Sequence, residues 1–278
     1  MRIRLIASDL DGTLLTNEKQ ILESTKEAIA EAVKQGIYFV PATGRPFEAL
    51  PEVVLELPGL EYVITSNGAA VYSLKEKRRI FEKYMTAESI EKLLEISLDK
   101  DMAYEVMING VPYADASYVE NPAAYGLNEK GTSYVRKTRN PIADMRKFTL
   151  EHRERVDNIA IVCSNQKRKA EISKKFRAAV DGIFVTSSVP HLIEIGNADA
   201  GKGKTICHLL KMLGSSPEEA MCFGDADNDV DMLQAVRYGI AMKNGTDTCK
   251  RAAFAVTASN QEDGVGQMIR KVLAGESI

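Results

Sequence analysis

Short apolar runs, each closed by a cluster of polar residues, alternate with stretches of helical periodicity over much of this chain. Ile3, Leu5, Ile6 and Ala7 run into Ser8-Asp9, the pattern of a strand buried on both faces of a parallel sheet. Ala28, Ile29, Ala32 and Val33 then recur at helical spacing. Ser24 is the predicted N-cap of that helix, with Glu27 three residues on, and Gly36 its stop. Further strands are predicted at 37–42, ending in Thr43-Gly44-Arg45, and at 62–65, ending in Ser66-Asn67-Gly68. This strand–helix–strand rhythm predicts a parallel α/β sheet.

The rhythm changes between about residue 84 and residue 190. Asn109-Gly110 predicts a hairpin turn between strands at 104–108 and 111–113. Residues 115–140 are polar and aromatic, with Pro122, Gly126 and Gly131, and predict a loop-rich stretch. A strand at 158–163 and a helix at 166–180 follow. After Leu192-Ile193-Glu194-Ile195 the parallel pattern resumes, with helices at 202–213 and 264–273 and strands at 220–223, 239–242 and 254–257. The expected architecture is an α/β, Rossmann-like parallel-sheet core, residues 1–83 and 191–278, interrupted by an inserted α+β module, residues 84–190. Ligands of open α/β sheets bind beyond the carboxyl ends of the strands. That rule places Asp9, Thr43, Asn67, Asp225 and Asn244 along one rim.

Composition narrows the function. With 278 residues, 45% hydrophobic and 27% charged, the chain can bury a full core. A formal net charge of -3 lacks the basic surplus of a nucleic-acid binder. No run approaches the roughly 18 apolar residues that a membrane span needs. The N-terminal apolar run meets Asp9 too early for a signal peptide, so a cytoplasmic protein is expected. Cys163, Cys207, Cys222 and Cys249 form no Cys-x-x-Cys pair, which predicts reduced thiols and argues against zinc.

Two acidic clusters carry the candidate chemistry. Asp9-Leu10-Asp11 sets two carboxylates in one turn after a buried strand, where their repulsion needs a cation or hydrogen bonds to offset it. Gly12 permits a tight turn, and Thr13 is expected to bond the loop backbone. The second cluster runs Gly224-Asp225-Ala226-Asp227-Asn228-Asp229-Val230-Asp231. An EF-hand is excluded, because Val230 stands where glycine should be and Val236 where glutamate should be. An acidic helix N-terminus explains Asp227 and Asp231 but not the whole cluster. Gly201-Lys202-Gly203-Lys204-Thr205 resembles the end of a nucleotide P-loop, yet Ala198 occupies the place of its first glycine. Lys202, at a helix start, is instead a candidate phosphate clamp.

Asp9-Leu10-Asp11-Gly12-Thr13, Thr43-Gly44-Arg45, Lys202-Gly203 and Gly224-Asp225-x-x-Asn228-Asp229, in this order and spacing, resemble the four motifs of the haloacid dehalogenase superfamily. The insertion resembles a C2-type cap, and the whole chain resembles the Cof-type subfamily of sugar-phosphatase-like enzymes. The resemblance implies a magnesium-dependent phosphatase for a small phosphorylated metabolite. Asp9 would be the nucleophile, forming an aspartyl-phosphate, and Asp11 the general acid and base. Magnesium would bind the Asp9 carboxylate, the Asp11 backbone carbonyl and Asp225. Thr43, the Gly44 amide, Lys202 and Asn228 would hold the phosphoryl oxygens, with Asp229 orienting Lys202 or metal-bound water from behind. Lys243-Asn244 departs from the family, which often has a small residue in place of the lysine. The cap would select the substrate, and no obligate protein partner is implied. A phosphosugar mutase or other phosphotransferase, as in the similar phosphomannomutase, is the alternative. A non-catalytic phosphometabolite-binding protein is a third reading.

Overall fold

The computed structural model describes residues 3–97 and 102–278. The chain divides into two compact units. The first comprises the described residues within Met1–Gly44, Leu50–Phe81 and Gly201–Ile278, and the second those within Arg45–Ala49 and Glu82–Ala200.

In chain order the first unit contributes β1 (Leu5–Ser8), β2 (Tyr38–Pro41), β3 (Tyr62–Thr65), β4 (Ala70–Ser73) and β5 (Arg78–Glu82), whose last residue belongs to the second unit. The second unit holds β6 (Met102–Ile108), β7 (Val111–Asp115), β8 (Asn140–Ile142), β9 (Val156–Cys163), β10 (Ile183–Thr186) and β11 (Leu192–Asn197). The chain then returns to the first unit with β12 (Ala220–Gly224), β13 (Tyr238–Met242) and β14 (Ala255–Thr257).

Five strands of the first unit form a parallel sheet in the order β14-β13-β12-β1-β2. Its register positions the chemistry. Ser8 lies opposite both Phe223 and Pro41. Asp9, Thr43 and Asp225 therefore leave the sheet at the same edge within two residues of one another along their strands. β1 is buried along its whole length and apolar up to Ser8, because both its faces are covered. Ile6 packs with Phe39, Phe223 and Ile240 and with Ile29 and Ile269 of the helices Glu23–Lys34 and Gly264–Leu273. Leu5 and Ala7 pack on the other side with Val40 and Cys222, under Ile206 and Leu209 of the helix Lys202–Met212. Burying each such side chain contributes about 1.5–3 kcal/mol before conformational entropy is counted.

Two expectations for this unit are corrected. β3 joins β2 through a single parallel bridge, Ala42 with Ile64, and then turns into an antiparallel meander with β4 and β5. Ser24 is not an N-cap; the helix begins at Glu23, after Leu22, without a side-chain cap. The hydroxyls of Ser24 and Thr25 instead donate to Asp263. A tertiary acceptor has displaced the local one.

The second unit is a six-stranded sheet in the order β10-β11-β9-β6-β7-β8, antiparallel except for β7 with β8. Asn109 and Gly110 both take positive φ, 52° and 82°, in the expected hairpin turn. The stretch expected to be loop-rich is mostly helical, with helices at Ala116–Glu120 and Glu129–Thr138. Asn128 caps the second through the Gly131 amide. Tyr118 and Val135 pack with Ala103, Ala114 and Val162 of the sheet. A polar composition hid these helices because only a few residues of each reach the core. β11 pairs antiparallel with β9 and β10, so the return to the first unit falls at Gly201 rather than near residue 191. An apolar run such as Leu-Ile-Glu-Ile does not state which sheet it joins. All four cysteines are free thiols.

Candidate active site

Asp9 follows directly on β1 and is buried, its amide donating to the Phe223 carbonyl at 2.9 Å. Burial pushes its carboxyl well above the usual carboxylate range; Lys202 opposes the shift, while Asp229 and Asp225 add to it. Lys202, wholly buried at the start of its helix, donates to Asp9 Oδ1 at 2.5 Å and to Asp229 Oδ1 at 2.7 Å. Burial alone would lower the lysine's pKa, but the two carboxylates outweigh it and keep the ammonium charged.

Asp229 uses both its oxygens. Besides the lysine, its Oδ2 accepts from the backbone amides of Asp225 at 2.9 Å and Ala226 at 3.0 Å, which shapes the loop after β12. Asp225 is half-buried and accepts from the Thr13 hydroxyl at 2.7 Å. Thr13 thus links the two acidic loops, where a bond to the local backbone was expected. Gly12 (φ 88°) makes the approach possible, since a Cβ there would lie 2.4 Å from Asp225 Oδ2. Asp231 accepts from the Gly203 amide at 2.9 Å and ties the helix start of Lys202 to the same loop.

Carboxylate oxygens of Asp9, Asp225 and Asp229 lie within 4.8 Å of one another. Asp11 is outside this group; its carboxylate takes the exposed Lys19 ammonium at 2.7 Å. Of the remaining predicted residues, Thr43 is buried and its carbonyl accepts from the Asn67 amide at 3.0 Å. Gly44 follows it at the end of the first unit's segment. Asn228 is buried and donates to Asn67 Oδ1 at 2.9 Å. Asn244 donates to the Gly12 carbonyl at 2.7 Å and bridges to the Asn260 amide. Lys243, the departure from the family pattern, is exposed and pairs with Glu262 at 3.3 Å. Thr13, Lys19 and Asp231 were missed as partners; their spacing to the acids in sequence holds no periodic signal.

Three carboxylates against one ammonium leave the cluster short of positive charge. Asp225 registers this: burial, then Asp229, push its carboxyl up to about 7 despite the Thr13 hydrogen bond and Lys202. An all-oxygen set with uncompensated negative charge suits a hard divalent cation. A stability prediction follows. In the unfolded chain this carboxyl ionises near 3.8, whereas the fold holds its proton to about 7. The metal-free fold therefore loses stability as pH rises from about 4 to about 7. A cation that binds the ionised form restores it. Scanning calorimetry with chelator and with magnesium is expected to show a magnesium-induced rise in Tm that grows between about pH 5.5 and pH 8. A rise that shrinks over this interval would contradict the assignment.

The model of the haloacid dehalogenase-like hydrolase family matches residues 6–269. The chain belongs to this family. A putative phosphatase of Buchnera aphidicola subsp. Schizaphis graminum is 30% identical over 272 residues, covering 96% of this chain and 95% of that protein. The structure of a haloacid dehalogenase-like hydrolase from Bacillus subtilis superposes with a TM-score of 0.82 at 27% identity, covering 96% of this chain and 99% of the other. A subclass IIB sugar phosphatase shares the fold, with a TM-score of 0.79 at 22% identity over 97% and 98% of the two chains. This haloacid dehalogenase-like hydrolase is thus a C2-capped phosphatase, a phosphoric monoester hydrolase with a Rossmann-like core and an α+β cap. Among its described residues no helix is long and apolar enough to cross a membrane.

Proposed function

We propose that this phosphatase hydrolyses a small phosphorylated metabolite, of the sugar-phosphate kind, through an aspartyl-phosphate on Asp9. The observation that carries the reading is the buried Asp9–Lys202–Asp229 array beside Asp225. Asp9 attacks phosphorus, and the bond to the leaving oxygen breaks. Asp11 gives that oxygen its proton and then takes one from the water that cleaves the aspartyl-phosphate. Its half-exposed position, held by Lys19, supports a group that exchanges protons with solvent between turnovers. Lys202, Thr43, the Gly44 amide and Asn228 bind the phosphoryl oxygens, and Lys202 stays charged to do so. Asp229, with both oxygens engaged, holds Lys202 in line.

Asp9 and Asp225, with the Asp11 backbone carbonyl, would hold magnesium, which when bound neutralises charge on the transferring phosphoryl group. The four motifs contain no residue that distinguishes one leaving group from another. We therefore assign substrate selection to the cap, within Glu82–Ala200. A cytoplasmic location fits such metabolites.

The test is phosphate release from a panel of phosphorylated sugars and other small phosphomonoesters, with magnesium and with chelator. Release that needs the cation supports the reading, and the panel ranks the leaving groups. Silence from wild type across the panel would sink it; transfer to a second sugar hydroxyl would make the protein a mutase.

A further inference from the structure

The turn after β3 has not been assigned a role by the motifs, yet it is strained and tied to three of them. Ser66, Asn67 and Gly68 are consecutive residues at positive φ, 51°, 54° and 94°. Two of them carry side chains, and such backbone persists only where surrounding contacts enforce it. The contacts are specific. The Asn67 amide donates to the Thr43 carbonyl at 3.0 Å. The Gly68 carbonyl accepts from the Thr205 hydroxyl at 2.7 Å, one turn into the helix that begins with Lys202. A Cβ on Gly68 would lie 2.3 Å from the Gly201 carbonyl oxygen. Asn67 Oδ1 accepts from Asn228 Nδ2 at 2.9 Å, with both residues buried.

A second observation marks the same place. Among the described residues, four buried side-chain polar atoms lack a hydrogen-bond partner, and three of them are Thr65 Oγ1, Ser66 Oγ and Asn228 Oδ1. Protein interiors leave few such atoms, so three on this turn and on its partner point to groups kept for a ligand.

We infer that Asn67 is a positioning residue for the phosphatase reaction. Its side-chain carboxamide oxygen, presented by the left-handed turn, accepts from Asn228 Nδ2 and fixes the rotation of that side chain, so that one Asn228 hydrogen is spent on Asn67. The other hydrogen and Oδ1 are then set toward the phosphoryl group and its bound water. The turn thereby couples the Thr43, Lys202 and Asn228 segments. This rests on the proposed role of Asn228.

The experiment is a double-mutant cycle in kcat/KM with Asn67→Gly and Asn228→Ala. Glycine takes φ 54° without strain, keeps the backbone N–H to Thr43 and removes only the side-chain carboxamide. N67G is expected to lower kcat/KM about 10- to 100-fold with Tm near wild type. Combined with N228A it is expected to cost no more than N228A alone. N67G at wild-type activity, or losses that multiply in the double variant, would overturn the inference. Should N67G fail to fold, hydrogen exchange of the Asn228 side-chain amide in wild type decides the link. Slow exchange is expected, and fast exchange overturns it. That exchange needs no turnover, so a wild type inactive on every phosphomonoester would defeat the assignment of the reaction while the exchange still reports on the Asn67–Asn228 bond.

Discussion

Asp9→Asn is expected to lower kcat by at least about 10⁴-fold while leaving the metal-free protein as stable as wild type or more so. The loss follows from the nucleophile: an amide does not form the acyl-phosphate, and the residual rate is what binding alone supplies. The stability expectation follows from charge. Burial holds the Asp9 carboxyl well above its usual range, and Asp229 and Asp225 push the same way. An ionised Asp9 is therefore a cost to the fold at neutral pH. Asparagine keeps the shape, removes the charge and leaves Lys202 paired with Asp229. The check is single-turnover phosphate release beside urea unfolding in chelator. Retained turnover would show that another residue attacks phosphorus; a large loss of stability would mean that the Asp9–Lys202 pair holds the fold together.

The second large effect runs the other way. Lys202→Ala is expected to cost about 3–5 kcal/mol of stability in chelator, because it strands buried carboxylates without their cation. Lys202 is wholly buried and bonds Asp9 and Asp229 together. Its raised pKa means that the stabilisation it supplies persists through neutral pH and is lost only as pH climbs through that raised value in strong alkali. Part of the loss should return with magnesium, which replaces positive charge in the same cluster. Activity is expected to fall about 10²- to 10³-fold even then, since a charged donor to the phosphoryl oxygens is gone. The unfolding midpoint of the alanine variant in chelator, read against wild type, is the measurement. A loss below about 1 kcal/mol would class this lysine with surface ion pairs.

Much of this was legible before any coordinate. Apolar runs ending in Asp9 and in Gly224-Asp225 mark buried strands that stop at carboxylates, because a parallel strand covered on both faces must be apolar along its length. The order of the four motifs named the family, and the family model agrees over residues 6–269. The inserted α+β module was visible as a change of rhythm. Its composition hid the helices Ala116–Glu120 and Glu129–Thr138, of which only Tyr118 and Val135 are buried.

What the linear sequence determined by itself was the core strands and helices whose apolar positions repeat locally, and where chemistry leaves each core strand, since periodicity and strand-end residues are local properties. What only tertiary structure decided was pairing. β11 belongs to the cap sheet because its antiparallel partners lie there, not because of its own residues. Thr13 meets Asp225 across 212 residues of chain, Lys202 meets Asp9 across 193, and Asn228 meets Asn67 across 161. Charge, burial and hydrogen bonding at this site depend on those distances in space, and no pattern within a single segment encodes them.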